Sequence, residues 1–176
     1  MKHTLVALME NRPGVLSRVI TLFRRRNFNI ESISVGHTEI PDISRMTLVV
    51  DGSKTVVEQV TKQLYKVVNV RKVSDVTEDP TVDRELALIK VAAKPSNRTE
   101  IMQIVEVFRA KVVDVAPSSL MVEVTGQEDK IDSLVSLLRP YGIKEMVRTG
   151  KVSMVRGSVA TRETISTPSG NGFQLN

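Results

Sequence analysis

The chain has 176 residues, enough for one ordinary domain or two small ones, and its 41% hydrophobic and 26% charged residues suit a water-soluble globular protein. Without cysteine it can hold no disulfide framework, thiolate nucleophile or thiolate metal site. The formal charge of +5 comes with no Trp, two Tyr and four Phe, too few aromatic platforms for sequence-tolerant single-strand binding, so no nucleic-acid partner is expected.

The apolar stretch Thr4–Met9 reads as a first strand, with His3 packed beside it. It is short and runs straight into Asn11-Arg12-Pro13-Gly14, so neither a signal peptide nor a membrane span is expected, and a cytoplasmic protein is the simplest expectation. A helix follows over Gly14–Arg26, where Leu16, Val19, Ile20 and Phe23 have the spacing of one amphipathic face. The cluster Arg24-Arg25-Arg26 then falls at the helix end, where cations complement the dipole; a phosphate-binding patch is the weaker alternative. Strands are predicted over Asn29–Val35 and Met46–Val50, the second alternating at Met46, Leu48 and Val50, with His37 solvated in the polar connection His37–Arg45. A helix over Ser53–Lys66 and a strand over Val68–Val73 complete the first unit, before the polar, proline-broken Thr77-Glu78-Asp79-Pro80-Thr81.

The pattern then repeats. Adding 85 to Leu16, Val19, Ile20 and Phe23 gives Ile101, Ile104, Val105 and Phe108, and carries Phe28 and Ile30 to Val113 and Val115. An offset of 74 pairs Met46, Leu48 and Val50 with Leu120, Val122 and Val124, Gly52 with Gly126, and Leu64 with Leu138. The lost residues fall in the His37–Arg45 connection, shortened to Pro117-Ser118 in the second copy. Helices near Asn97–Ala110 and Gln127–Leu138 are expected there. Each copy reads βαββαβ, so the fold class is α+β: two tandem ferredoxin-like domains, each an antiparallel sheet with both helices on one face. The boundaries are 1–76 for the first domain, 77–83 for a linker, 84–156 for the second domain and 157–176 for a Gly-Ser-Thr-rich tail expected to be disordered. Lys151–Arg156 is a short segment expected to dock on the second domain.

Catalytic constellations are missing from the sequence: no GxGxxG follows a strand, no GxxxxGK[ST] is present, and His3 and His37 stand in no metal-ligand spacing. The informative stretch is Glu10-Asn11-Arg12-Pro13-Gly14-Val15-Leu16-Ser17. Asn11 suits a cap position, Pro13 a first helical position, and Gly14 a close approach to the backbone. Such a helix N-terminus, with unpaired N–H groups and partial positive charge, holds a carboxylate; it can equally be just a well-capped helix. Asn29 is expected in a strand beside the first one, near the Asn11 turn, where its carboxamide can receive an ammonium group, or else serves as an ordinary turn residue. Ile30, Ile33 and Val35 offer a small apolar wall. Together the three features describe an aliphatic amino acid.

Three stretches, Asn11-Arg12-Pro13-Gly14-Val15-Leu16-Ser17-Arg18-Val19, Phe28-Asn29-Ile30-Glu31-Ser32-Ile33 and Ser44-Arg45-Met46-Thr47, resemble the ACT domain, a ferredoxin-like amino-acid sensor. More narrowly, the chain over about residues 1–156 resembles the small regulatory subunits of acetolactate (acetohydroxyacid) synthase, whose second domain is ACT-like. The resemblance implies a non-catalytic regulatory subunit in branched-chain amino acid biosynthesis, active as a homodimer whose ACT domains pair into one continuous sheet. It also implies valine, or a related branched-chain amino acid, bound at that interface. Carried over by position, Asn11 and the Pro13, Gly14, Val15 and Leu16 backbone hold the effector's polar groups, Asn29 and Ile30 complete the same side, and Ser34 and Val35 come from the partner chain. The implied partner is the catalytic large subunit, which carries thiamine diphosphate, magnesium and FAD while the small subunit carries none; its activity is enhanced and made subject to feedback inhibition. The alternative is an ACT sensor of another amino acid acting on a different partner. Asn27 stands where the family usually has glycine, and Asn tolerates the left-handed backbone that such a turn needs. The second copy starts its helix with Ser96-Asn97-Arg98-Thr99 and has Val112–Asp114 in place of Asn27–Asn29, so it is expected not to bind valine and to serve dimerisation or contact with the large subunit.

Overall fold

The structure, a computed structural model, describes residues 1–157; the tail expected at 157–176 thus lies outside the described residues except for Gly157. The first domain consists of β1 (Lys2–Glu10), α1 (Val15–Arg26), β2 (Ile30–His37), β3 (Ile43–Asp51), α2 (Lys54–Leu64) and β4 (Val70–Asp75). The second repeats the order with β5 (Thr81–Ala92), α3 (Arg98–Val107), β6 (Lys111–Ala116), β7 (Ser119–Gly126), α4 (Glu128–Leu138) and β8 (Ile143–Arg148). A last strand, β9 (Val152–Val155), pairs antiparallel with Thr81–Arg84 of β5, so the segment Lys151–Arg156 docks on the second domain. Because β5 begins at Thr81, the connection is shorter than 77–83, and Thr81, Val82 and Asp83 are strand.

The sheets run β2-β3-β1-β4 and β6-β7-β5-β8, all neighbours antiparallel. This corrects the expectation that β2 lies beside β1. The crossover through α1 leaves β1 and β2 parallel with one strand's width between them, and β3 fills that slot by pairing with both. Strand β2 is therefore an edge.

Two separate cores hold the domains. In the first, α1 buries Val15, Val19 and Phe23, and α2 buries Val57, Val60 and Leu64, against Leu5, Ala7, Met46, Leu48 and Val50 of the sheet. Phe23 meets Phe28 edge to face, with ring centroids 6.0 Å apart. Of the expected helix face, Val19 and Phe23 are buried, but Leu16 and Ile20 are not. Val15, Val19 and Phe23 form the buried i, i+4, i+8 stripe, whereas Leu16 and Ile20 are 38% and 48% exposed. In the second core Ile101 and Val105 of α3 pack with Ile131, Leu134 and Leu138 of α4 on Ala87, Ile89, Val91, Leu120, Val122 and Val124. The helices correspond at an offset of 86 (Val15 with Ile101, Val19 with Val105) rather than 85. Val113 and Val115, matched at 85 to Phe28 and Ile30, are exposed.

The first sheet is covered on both faces. Strand β1 is buried without alternation from His3 to Met9, whereas β5 alternates beyond Glu85 as a sheet with one wet face does. The second domain reaches the face of the first sheet that points away from its helices: Arg45 Nη2 donates to Ser153 O at 2.7 Å, and Lys151 N donates to Ser32 Oγ at 3.0 Å. His3 is buried in β1, as expected of a packed residue.

Candidate functional site

The chain leaves β1 at Glu10 and enters α1 at Val15, and the turn between them is exposed from Asn11 to Gly14. Its conformation is fixed by backbone bonds: Asn11 N donates to Asp42 O at 2.7 Å, Arg12 N to Glu10 O at 3.0 Å and Val15 N to Arg12 O at 3.3 Å. Gly14, not Asn11, is the N-cap of α1, and Pro13 lies outside the helix. Gly14 has φ +83°, a left-handed conformation costly for residues with a Cβ, and nothing lies within 4 Å of the place a Cβ would take. The glycine is thus required by the backbone while the space above it stays open. The amides of Leu16 and Ser17 have no carbonyl one helical turn earlier to accept them, so they point into that opening with the positive end of the dipole. No side chain caps α1. A carboxylate fits there.

The charges beside this opening neutralise one another. Glu10 accepts from Asn69 Nδ2 at 2.9 Å, pairs with Arg12 at 3.2 Å and is bonded by Arg71. The Asn69 hydrogen bond, with help from Arg71 and Arg12 and against the cost of desolvation, holds the Glu10 carboxyl below the usual carboxylate range. It stays ionised but tied down, so it does not repel an anion at Gly14.

Asn11 Nδ2 lies 3.4 Å from His37 Nδ1, joining the turn to the C-terminal end of β2. Neither His37 nor Asp42 was expected at the site. Their signal in the sequence was only that the His37–Arg45 connection closes the hairpin whose end abuts the Asn11 turn.

Asn29 is not brought to this corner. Ile30 pairs with Val50, which pairs with His3, whereas His37 pairs with Ser44, which pairs with Met9. Asn29 and Asn11 thus sit at opposite ends of the sheet, roughly 20 Å apart at strand rise. Asn29 is exposed and donates through Nδ2 to Glu31 Oε1 at 3.1 Å. Ser34 and Val35 are nearer the Asn11 end, Ser34 on the face turned to the second domain with Thr47, Val35 on the helix side with Met46. Ile30 and Ile33 are partly buried against the first core rather than forming a free wall. Ser34, Val35, Gly36 and His37 also line a groove of about 510 Å³ with Arg45 and Met154. Asn27 does take the left-handed conformation, φ 54°, at the C-cap of α1.

The chain is similar to two family models: one described as the AHAS small subunit-like ACT domain, over residues 5–72, and one described as the small subunit of acetolactate synthase, over 84–157. It is 58% identical over 158 residues to a probable acetolactate synthase small subunit of Archaeoglobus fulgidus, covering 90% of this chain and 99% of that protein. With the acetolactate synthase small subunit of Bacillus subtilis it is 52% identical over 171 residues, covering 94% of this chain and 99% of the relative. The crystal structure of the acetolactate synthase small subunit from Thermotoga maritima superposes with a TM-score of 0.83 at 41% identity, over 90% of this chain and 99% of that one.

Proposed function

Because the chain belongs to the acetolactate synthase small-subunit family, and is a regulatory subunit with a catalytic large-subunit partner, we propose that it senses valine, or a related branched-chain amino acid, between two copies of itself. The observation that carries this reading is the placement of Gly14 and Asn29 at opposite ends of a free edge strand. Two β2 edges paired antiparallel about a twofold axis bring the His37 end of one chain to the Ile30 end of the other. Each open helix end then faces an Asn29 from the second copy. The effector carboxylate goes to the Leu16 and Ser17 amides beside Asn11 and Gly14, its ammonium to the carboxamide of Asn29 across the interface, with Ile30 from that same side. Ser34 and Val35 belong on this reading to the chain that supplies Gly14, the reverse of the division that family resemblance suggests. The exposed Leu16 and Ile20 flank the same edge and become covered in the dimer.

On this reading the subunit is non-catalytic and regulates. It raises the activity of the large subunit, which carries thiamine diphosphate, magnesium and FAD, and valine binding makes that activity subject to feedback inhibition. Valine must favour one arrangement of the paired domains over another, with a coupling of about 1–3 kcal/mol typical of such systems. The test is a calorimetric titration of the chain with valine, leucine, isoleucine and serine, alongside its sedimentation behaviour. Saturable binding of one aliphatic effector per chain of a dimer is expected; a monomer that binds with full affinity overturns the shared site.

A further inference from the structure

At Ser32, strand β2 meets the second domain in an unusually tight contact. The turn between β8 and β9 is Thr149-Gly150-Lys151. Gly150 has φ +79°, and a Cβ built on it would sit 2.7 Å from Ser32 Oγ, closer than packed atoms allow, and a tight 3.2 Å from Ile33 O. The next amide, Lys151 N, donates to the Ser32 hydroxyl at 3.0 Å. Ser32 itself follows the irregularity in β2 that separates Ile30 from the regular ladder with β3. The turn is in turn fixed to its own domain: Thr149 N donates to Leu86 O at 3.0 Å, Lys151 Nζ pairs with Asp83 at 3.2 Å, and Ser153 Oγ donates to Asp83 Oδ1 at 2.6 Å.

We infer that the Gly150–Lys151 turn is the positioning element that relays the state of strand β2 to the second domain, with Ser32 as its contact on the strand. The inference rests on the valine reading, because it takes the effector to act at the β2 edge. In the dimer each β2 meets two effectors, one seated against Ile30 and the other on the Ser34 side, so occupancy of both sites fixes the strand on both sides of Ser32. With Ile30 and Ile33 packed on the first core, a shift of the strand bears on the turn opposite Ser32. The turn has no side chain at Gly150 to yield, and its anchors at Leu86 and Asp83 carry the shift into β5, the central strand of the second domain.

The experiment uses the chain reconstituted with its catalytic large subunit, in wild-type form and as Ser32→Ala and Gly150→Ala. Valine affinity is measured by calorimetry, activation without valine and the plateau of inhibition at saturating valine by activity, and integrity by the unfolding midpoint. Ser32→Ala removes only the acceptor and carries the test alone should Gly150→Ala fail to fold. The expected result is unchanged activation, valine affinity within about twofold of wild type, and residual activity at saturating valine raised about threefold or more. Wild-type inhibition in Ser32→Ala overturns the relay. Loss of binding together with inhibition also overturns it, since Ser32 then belongs to the pocket. Absence of saturable valine binding in the wild-type chain instead defeats the sensing reading on which the relay rests.

Discussion

At the corner where the first domain leaves α1 open, the second domain has closed the same corner with a side chain. Pro13 and Gly14 end their turn without a cap, and the Asn11 side chain reaches only as far as His37. In the second domain Arg98 opens α3, and its Nη2 donates to Ala116 O at 2.8 Å and Pro117 O at 2.9 Å, with Ala93 O more distant at 3.4 Å. The guanidinium ties the helix start to the short β6–β7 turn, while Asn97 Oδ1 accepts from Lys94 N at 2.8 Å. One fold unit thus appears twice, once with its helix end kept free and once with it stitched to the neighbouring hairpin. Filling the corner stabilises; leaving it free costs stability and makes a place for a ligand.

The largest effects test whether the two domains are separate folding units. Leu64 and Leu138 are equivalent at the offset of 74, and both are fully buried, one in each core. Either change to Ala is expected to cost about 2–5 kcal/mol, the transfer and cavity penalty of a buried leucine. In calorimetry each is expected to lower the transition of its own domain more than that of the other. A single shared shift in both variants breaks the division, because it makes the interdomain ties as strong as the cores.

Next in size is the corner itself. Gly14→Asp introduces a left-handed residue with a negative charge above the free amides and is expected to weaken valine binding by about two orders of magnitude, roughly 3 kcal/mol. Thr99→Asp, which puts the same charge into the first turn of α3, is expected to leave valine affinity alone. Titration of both variants checks the pair, and sensitivity of valine binding to Thr99→Asp would place a site where Arg98 now sits. Asn29→Ala is expected to weaken binding about tenfold, by loss of one hydrogen bond to a charged group.

How much of this was readable from residues alone differs along the chain. The half matched at 74 was legible because those positions face a core in both copies, and even the paired glycines behave alike. A Cβ on Gly52 meets Val56, and one on Gly126 meets Lys130, each the side chain four residues on. The half matched at 85 is one residue out because α1 carries apolar residues on two adjacent stripes, Val15-Val19-Phe23 and Leu16-Ile20, and the match draws on both. Periodicity cannot separate a core stripe from one that faces solvent or a partner. The Asn11–Asn29 proximity failed for a topological reason: β1 and β2 run parallel on either side of β3, so the start of β2 lies at the end of the sheet opposite the end of β1. The Gly150 contact had no local signal, since Ser32 and Gly150 are brought together only by the docking of one domain on the other.

Closing versus opening the corner can be probed from the other side. Arg98→Ala removes two good hydrogen bonds to the β6–β7 turn and should destabilise the second domain by about 1–3 kcal/mol, the range for bonds to a charged donor. Denaturant unfolding measures this directly. An unchanged midpoint would mean that the arginine merely lies over the corner and does not hold it.

The smallest effect expected belongs to neither core but to the seam between them, and it has a sign. Desolvation pushes the Asp83 carboxyl up, but the Ser153 and Lys151 hydrogen bonds and the Lys151 charge outweigh it, so its affinity for a proton falls below the ordinary value of 3.8. A carboxyl depressed in the folded state contributes stability that is fully present above its unfolded value and is lost as pH falls through its folded value. Asp83 should therefore secure the Lys151 turn without change across neutral pH and let go only in acid below about pH 4. Asp83→Asn isolates the contribution: its midpoint should lie slightly below wild type near pH 7, by about 1 kcal/mol or less, and converge on it in acid. If the gap instead widens as pH falls, the carboxylate is not what holds Lys151 and Ser153, and the anchoring of that turn must come from the Thr149 backbone bond to Leu86.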